Sequence, residues 1–148
     1  MTEKLIPEQP APSPEEQKKR MERVAYFETH DCPAFVQDSP LEAAAVYREF
    51  TELYETAAEK YYEKRVEMTG VVRKIGPDIH NKPSIEFSDR VDGRCYALFI
   101  FESDEFYSRI SVGDTVVCRG NFLRAREPFG AVLKKSELVK RLIPVVFF

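Results

Sequence analysis

From Pro40 to Tyr62 the apolar positions recur at three- and four-residue steps: Ala43, Val46, Tyr47, Phe50, Leu53, Tyr54, Ala57, Ala58 and Tyr61. Glu49, Glu52, Glu55, Glu59 and Glu63 fall mostly on the opposite side, the pattern of a helix with one buried stripe. Ser39, Pro40 and Glu42 stand where a capping box with proline at the first helical position would stand, so the helix is expected to start there. Its Tyr-rich stripe is read as core packing rather than as a stacking surface. After Arg65 the period changes to two. Strands are expected over Arg65–Ile75, Ser84–Ser88, Cys95–Phe101, Thr115–Leu123 and Ala131–Leu138, bounded by Gly76-Pro77, Asn81-Lys82-Pro83, Gly93, Gly113-Asp114 and Pro128–Gly130. Gly70 would permit a bulge or strong coil in the first strand. A short helix is expected over Ser103–Ile110, capped by Ser103, between the third and fourth strands.

Ahead of this body, residues 1–14 hold Pro7, Pro10, Pro12 and Pro14 with little to bury and read as a disordered leader. Residues 15–27 suit a short helix that ends near His30-Asp31-Cys32-Pro33. The domain organisation expected is therefore an acidic leader over 1–38, disordered or partly helical, then a domain over 39–148. That domain has its helix over 39–64 and an apolar tail over 139–148.

Five short strands with a helix between the third and fourth is the connectivity of a five-stranded OB-fold Greek-key barrel, here mainly β and preceded by a long amphipathic helix. The run AAEKYYEKRVEMTGVVRKIGPDI at 57–79 resembles the opening of the tRNA_anti-like family of OB-fold domains. Cys95-Tyr96 and Ser111-Val112-Gly113-Asp114-Thr115-Val116, leading through Arg119-Gly120, resemble its later strands. The resemblance covers roughly Leu41–Leu138 and implies an OB barrel. It departs at Tyr54, where members often carry Asn, and at Lys64, where they often carry Gly. Many relatives are lipoproteins, but no signal peptide or lipidation cysteine is evident at this N-terminus, so membrane attachment is not carried over.

Charge then narrows the ligand. Residues 1–38 carry five basic and eight acidic side chains, 39–64 three and six, and 65–148 fourteen and eleven, which sums to the formal −3 of the chain. A mildly basic body follows an acidic N-terminal half, which excludes a uniformly basic nucleic-acid coat. No stretch approaches the ~20 apolar residues of a membrane-spanning helix. Three cysteines without paired spacing argue against a disulfide framework and fit a reducing, cytoplasmic setting.

OB barrels bind along the face of their second and third strands, between the first-to-second and fourth-to-fifth loops. On that template Lys82, Tyr96, Arg119, Arg124, Arg126 and Phe129 form a candidate groove for single-stranded DNA or RNA, with Tyr96 and Phe129 as stacking platforms. Glu86, in the middle of that face, opposes a polyanion. The alternative is an adaptor module that contacts a protein partner or a second copy through Val145, Val146, Phe147 and Phe148. An open second-to-third strand face favours the first reading, and a face covered by the long helix favours the second. His30 and His80 lack metal-ligand spacing, and no phosphate loop, nucleophile elbow or HExxH occurs. The expectation is a binding protein that is not an enzyme and needs no cofactor or metal.

Overall fold

In the computed structural model, which describes residues 4–143, the elements run α1 (Pro14–Tyr26), β1 (Leu41–Glu42), α2 (Ala43–Glu52), α3 (Tyr54–Tyr61), β2 (Lys64–Pro77), β3 (Pro83–Ser88) and β4 (Ala97–Ile100). A 3₁₀ turn (Glu105–Ser108), β5 (Thr115–Arg126) and β6 (Gly130–Leu142) follow. The five strands expected from alternation are β2 to β6. β2 pairs antiparallel with β3 and with β5, β3 with β4, and β5 with β6, while β4 and β6 run parallel. The β2–β5 pairing closes the sheet into a five-stranded barrel, the OB arrangement. Inward positions follow the expected alternation: Val66, Met68, Ile85, Phe87, Phe99, Val116, Cys118 and Phe122 are fully buried.

Gly70 does not carry the bulge; the register slips between Val72 and Lys74 instead. A Cβ on Gly70 would lie 2.9 Å from the Phe87 side chain, so its role is to let Phe87 fill the barrel under a tightly coiled strand.

The single helix expected over 39–64 is corrected in two places. Leu41 and Glu42 form a parallel ladder with Met68 and Thr69, so the backbone is extended where the capping box would have wound it. The helix starts at Ala43, and its cap residue Glu42 makes no side-chain capping bond. A second interruption falls at Leu53 (φ −141°, ψ 72°). An unbroken helix over Pro40–Tyr62 would be roughly 35 Å long. The break folds its second half back, so that Tyr61, Tyr62 and Phe50 gather around Phe122 at ring separations of 5.5–6.1 Å.

The starts of β2, β4 and β6 and the end of β5 lie together at one end of the barrel, as the pairings Lys64–Phe122, Arg126–Gly130 and Ala97–Ala131 require. α2 plugs that end. Its Val46, Tyr47 and Phe50 belong to the same apolar cluster as the barrel interior, so the helix does not lie across the outer face of β3 and β4. At the other end the expected Ser103–Ile110 helix is reduced to the 3₁₀ turn, whose Phe106 packs 4.0 Å from Phe101. Phe106 and Ile110 seal the core there.

The chain before the barrel is tied to it. β2 would leave an open edge from Arg65 to Thr69, a hazard that sheets usually cover. Arg65 N–H donates to Pro33 O (2.8 Å), Phe35 N–H to Arg65 O (3.0 Å), and the Gln37 amide pairs with both backbone groups of Glu67 before β1 takes over. Asn121, wholly buried on β5, clamps the same segment. Its Nδ2 donates to Phe27 O (2.8 Å) and His30 O (2.9 Å), and its Oδ1 accepts from Cys32 N–H (2.9 Å) and Arg65 Nη1 (3.1 Å). Within the stretch read from sequence as having little to bury, Ile6 is 6% exposed and joins the core. α1 spans nearly the residues expected, with Ser13 accepting the Glu16 N–H at its cap.

Candidate functional site

The β5–β6 hairpin brings Arg124 and Arg126 to one outward face, since Ala125 between them points into the core. Opposite the hairpin run the leader and α1. Between these walls lies a cleft of about 930 Å³, lined by Ile6, Pro7, Glu8 and Gln9 of the leader, by Arg20, Met21 and Val24 of α1, by Tyr54 and Tyr62, and by Arg124 to Glu127 with Lys134. Its floor is organised by tyrosine hydroxyls. Tyr62 Oη meets Tyr54 Oη at 2.5 Å and accepts the Ala125 N–H at 3.0 Å. Burial, followed by the Tyr54 contact, pushes the Tyr62 phenol up.

The carboxylate in the cleft wall is already committed. Glu127 accepts from Tyr47 Oη, from Ile6 N–H at 3.0 Å and from Arg94. Arg94 in turn lies 4.5 Å over the Tyr47 ring. Lys134 is held by Glu28 at 3.0 Å. Arg20, Arg124 and Arg126 have no carboxylate partner among the described residues; Arg20 only rests 5.9 Å over the Tyr62 ring. Burial first, then the guanidinium groups of Arg126 and Arg20, push Arg124 below the usual arginine range.

The other sequence-derived candidates disperse. Lys82 is exposed in the Asp78–Lys82 turn, its N–H on Asp78 Oδ1, at the barrel end away from the β5–β6 hairpin. Arg119 is engaged by Glu67 (3.0 Å) and Glu137 (2.8 Å), and those contacts, Glu67 foremost, raise it above the usual arginine range. Tyr96, read as outward, instead packs against Tyr47 at 5.0 Å beside the core, because β4 begins only at Ala97 and the preceding residues leave the strand's alternation. Cys95, at the head of the expected third strand, lies with Glu86 outside the barrel and donates its thiol to Phe129 O at 3.3 Å. Phe129 is half-buried and has no ring partner among the described residues. Glu86 is paired with Arg73, and Lys74 lies 3.8 Å away. Val145, Val146, Phe147 and Phe148 lie outside the described residues.

Sequence reasoning missed Arg20 and the leader wall altogether. A proline-rich stretch and a polar helix carry no mark of the hairpin they face more than a hundred residues later. Burial pushes Cys32 up to about 12 and raises Cys95 and Cys118 as well. His30 stacks on Tyr26 at 4.0 Å, with its Nδ1 beside Thr29 and the Tyr26 carbonyl. Among the described residues no His, Cys, Asp or Glu group could hold a metal ion, and no helix is long and apolar enough to cross a membrane.

With the barrel and its cleft in view, comparison with known proteins agrees with the resemblance read from the strands. The tRNA_anti-like family model matches residues 7–138. The chain belongs to the tRNA_anti-like family. The match begins in the leader rather than at Leu41. No curated protein matches. A solved lipoprotein from Klebsiella pneumoniae subsp. pneumoniae, whose name proposes that it binds nucleic acid, is similar over 80% of this chain and 97% of its own, with TM-score 0.53 and 18% identity. Likeness at that identity speaks for the shared barrel fold.

Proposed function

We propose that this tRNA_anti-like protein is a non-catalytic module that binds single-stranded nucleic acid, with the β5–β6 hairpin as its principal contact. The observation that carries the reading is Arg124 beside Arg126, both without carboxylate partners among the described residues, on a barrel whose other arginines are largely ion-paired. Guanidinium groups fork onto phosphate oxygens in a way that lysines do not. Phe129 at the hairpin turn adds a stacking platform, an interaction of ~1–3 kcal/mol per base in such barrels. Family membership and the name of the Klebsiella lipoprotein support the same class of ligand. α2 stays off the outer face of β3 and β4, but the outward Ser84, Glu86, Ser88 and Leu98 there are buried, so the contact is centred on the hairpin.

Fluorescence anisotropy of a labelled ~20-nucleotide single strand, across a salt series and against duplex, tests the reading. Micromolar or tighter binding is expected, weakening steeply with salt and dropping in the Arg124→Ala/Arg126→Ala double variant. Absence of binding at low salt refutes it and redirects attention to a protein partner or a second copy of the chain.

A further inference from the structure

We infer that the cleft between the leader, α1 and the β5–β6 hairpin is a seat for a phosphate monoester, gripped by Arg20, Arg124 and Arg126. The inference rests on the nucleic-acid reading when the monoester is the terminal phosphate of a bound strand, and stands apart from it when the ligand is a free phosphomonoester. Three guanidinium groups line one cleft, contributed by a helix and a hairpin about a hundred residues apart in sequence, and none has a carboxylate among the described residues. Like charges gathered in a partly dehydrated site oppose one another unless an anion enters; Arg124 is lowered by burial first and then by Arg126 and Arg20, which places the three groups in one another's field. A dianionic phosphate with three equivalent oxygens matches three forked donors. The cleft volume falls within the roughly 300–1,000 Å³ of small-ligand sites.

The walls also select an end rather than a through-running backbone. Glu8 and Glu28 border the cleft on the leader side, Glu28 neutralised by Lys134 and Glu8 exposed. A polyanion continuing past the three arginines would meet the Glu8 carboxylate, which has no cationic partner among the described residues, whereas a chain end stops short of it. Arg20 thus becomes the residue that distinguishes a terminal phosphate from an internal one, because it alone of the three stands on the leader side.

The test compares 20-nucleotide strands that carry a 5′-phosphate, a 3′-phosphate or hydroxyls at both ends, by anisotropy. Calorimetric titrations with inorganic phosphate and with thymidine 5′-monophosphate run in parallel, on the native chain, Arg20→Ala and Arg20→Lys. One phosphorylated end should bind about tenfold tighter than the hydroxyl-ended strand. Arg20→Ala should abolish that preference, so that phosphorylated and hydroxyl-ended strands bind alike, and Arg20→Lys should restore part of it. Arg20 makes no ion pair on its helix, so the variants are expected to keep the native circular dichroism and melting temperature. Arg20-dependent binding of the monophosphate or of inorganic phosphate without an end preference assigns the seat to a free phosphomonoester. An absence of both end preference and Arg20-dependent phosphate binding overturns the inference, even if hydroxyl-ended strands bind well. Failure of every strand with retained phosphate binding refutes the nucleic-acid reading alone.

Discussion

Replacing Asn121 by alanine removes a wholly buried side chain that ties the N-terminal segment to the barrel wall. Four hydrogen bonds are lost, but they do not count equally. Phe27 and His30 lie toward the surface, so their carbonyls can turn to water. Arg65 keeps Lys135 O at 3.0 Å and its ion pairs with Asp31 and Glu137. The Cys32 N–H is different: Cys32 is 4% exposed, so its donor is left buried without an acceptor, a cost of ~1–3 kcal/mol. With ~1 kcal/mol net for the remaining bonds, the expected loss is about 3 kcal/mol. For a chain of this size that corresponds to a fall in Tm of roughly 6–12 °C. Thermal unfolding followed by circular dichroism measures the loss, and limited proteolysis should show faster cleavage between α1 and β1. Since that segment carries the Arg20 wall, phosphate binding should weaken in the same variant. A Tm within about 2 °C of the native protein, with unchanged proteolysis, would refute the clamp.

Gly130 adopts φ +75°, and a Cβ there would lie 2.3 Å from Tyr96 O, so Gly130→Ala should destabilise by more than ~2 kcal/mol and disturb the arginine hairpin, as read by urea unfolding and by strand affinity. Gly70→Ala, with its Cβ 2.9 Å from Phe87, should cost ~1–3 kcal/mol by the same measurement without altering binding in conditions where the protein stays folded. Cys32, raised by burial from about 9 to about 12, stays protonated in the folded state while an unfolded thiol ionises. Stability should therefore fall as pH rises from about 9 toward about 12, and below pH 9 Cys32 should react with Ellman's reagent at least ~tenfold more slowly than after unfolding. Asp31 is lowered mainly by its bond to Lys135, so its small, largely exposed contribution is present above the ordinary carboxylate range and fades as pH falls through its lowered value; Lys135→Ala should flatten that acid limb of the melting profile.

Much of the barrel was legible along the chain. Alternation at Ile85 and Phe87, and at Val116, Cys118 and Phe122, identifies inward faces because a strand's side chains alternate whatever surrounds it. The glycine and proline punctuation marks strand ends for equally local reasons. Arg124 and Arg126 were legible as a pair because the i, i+2 spacing on a strand places them on one side. Local chemistry misled where a distant partner offered more: the Ser39–Glu42 capping signal yields to the β1–β2 ladder, and the helix breaks at Leu53 to wrap Phe122. The sequence by itself determined the five strands, their order and the apolar faces, all consequences of periodicity within short windows. Only tertiary structure decided that α2 plugs the barrel end, that Asn121 holds the leader, and that Arg20 faces Arg124 and Arg126. Each of those depends on contacts between residues far apart in the chain, and a buried face records that it must be covered without recording what covers it.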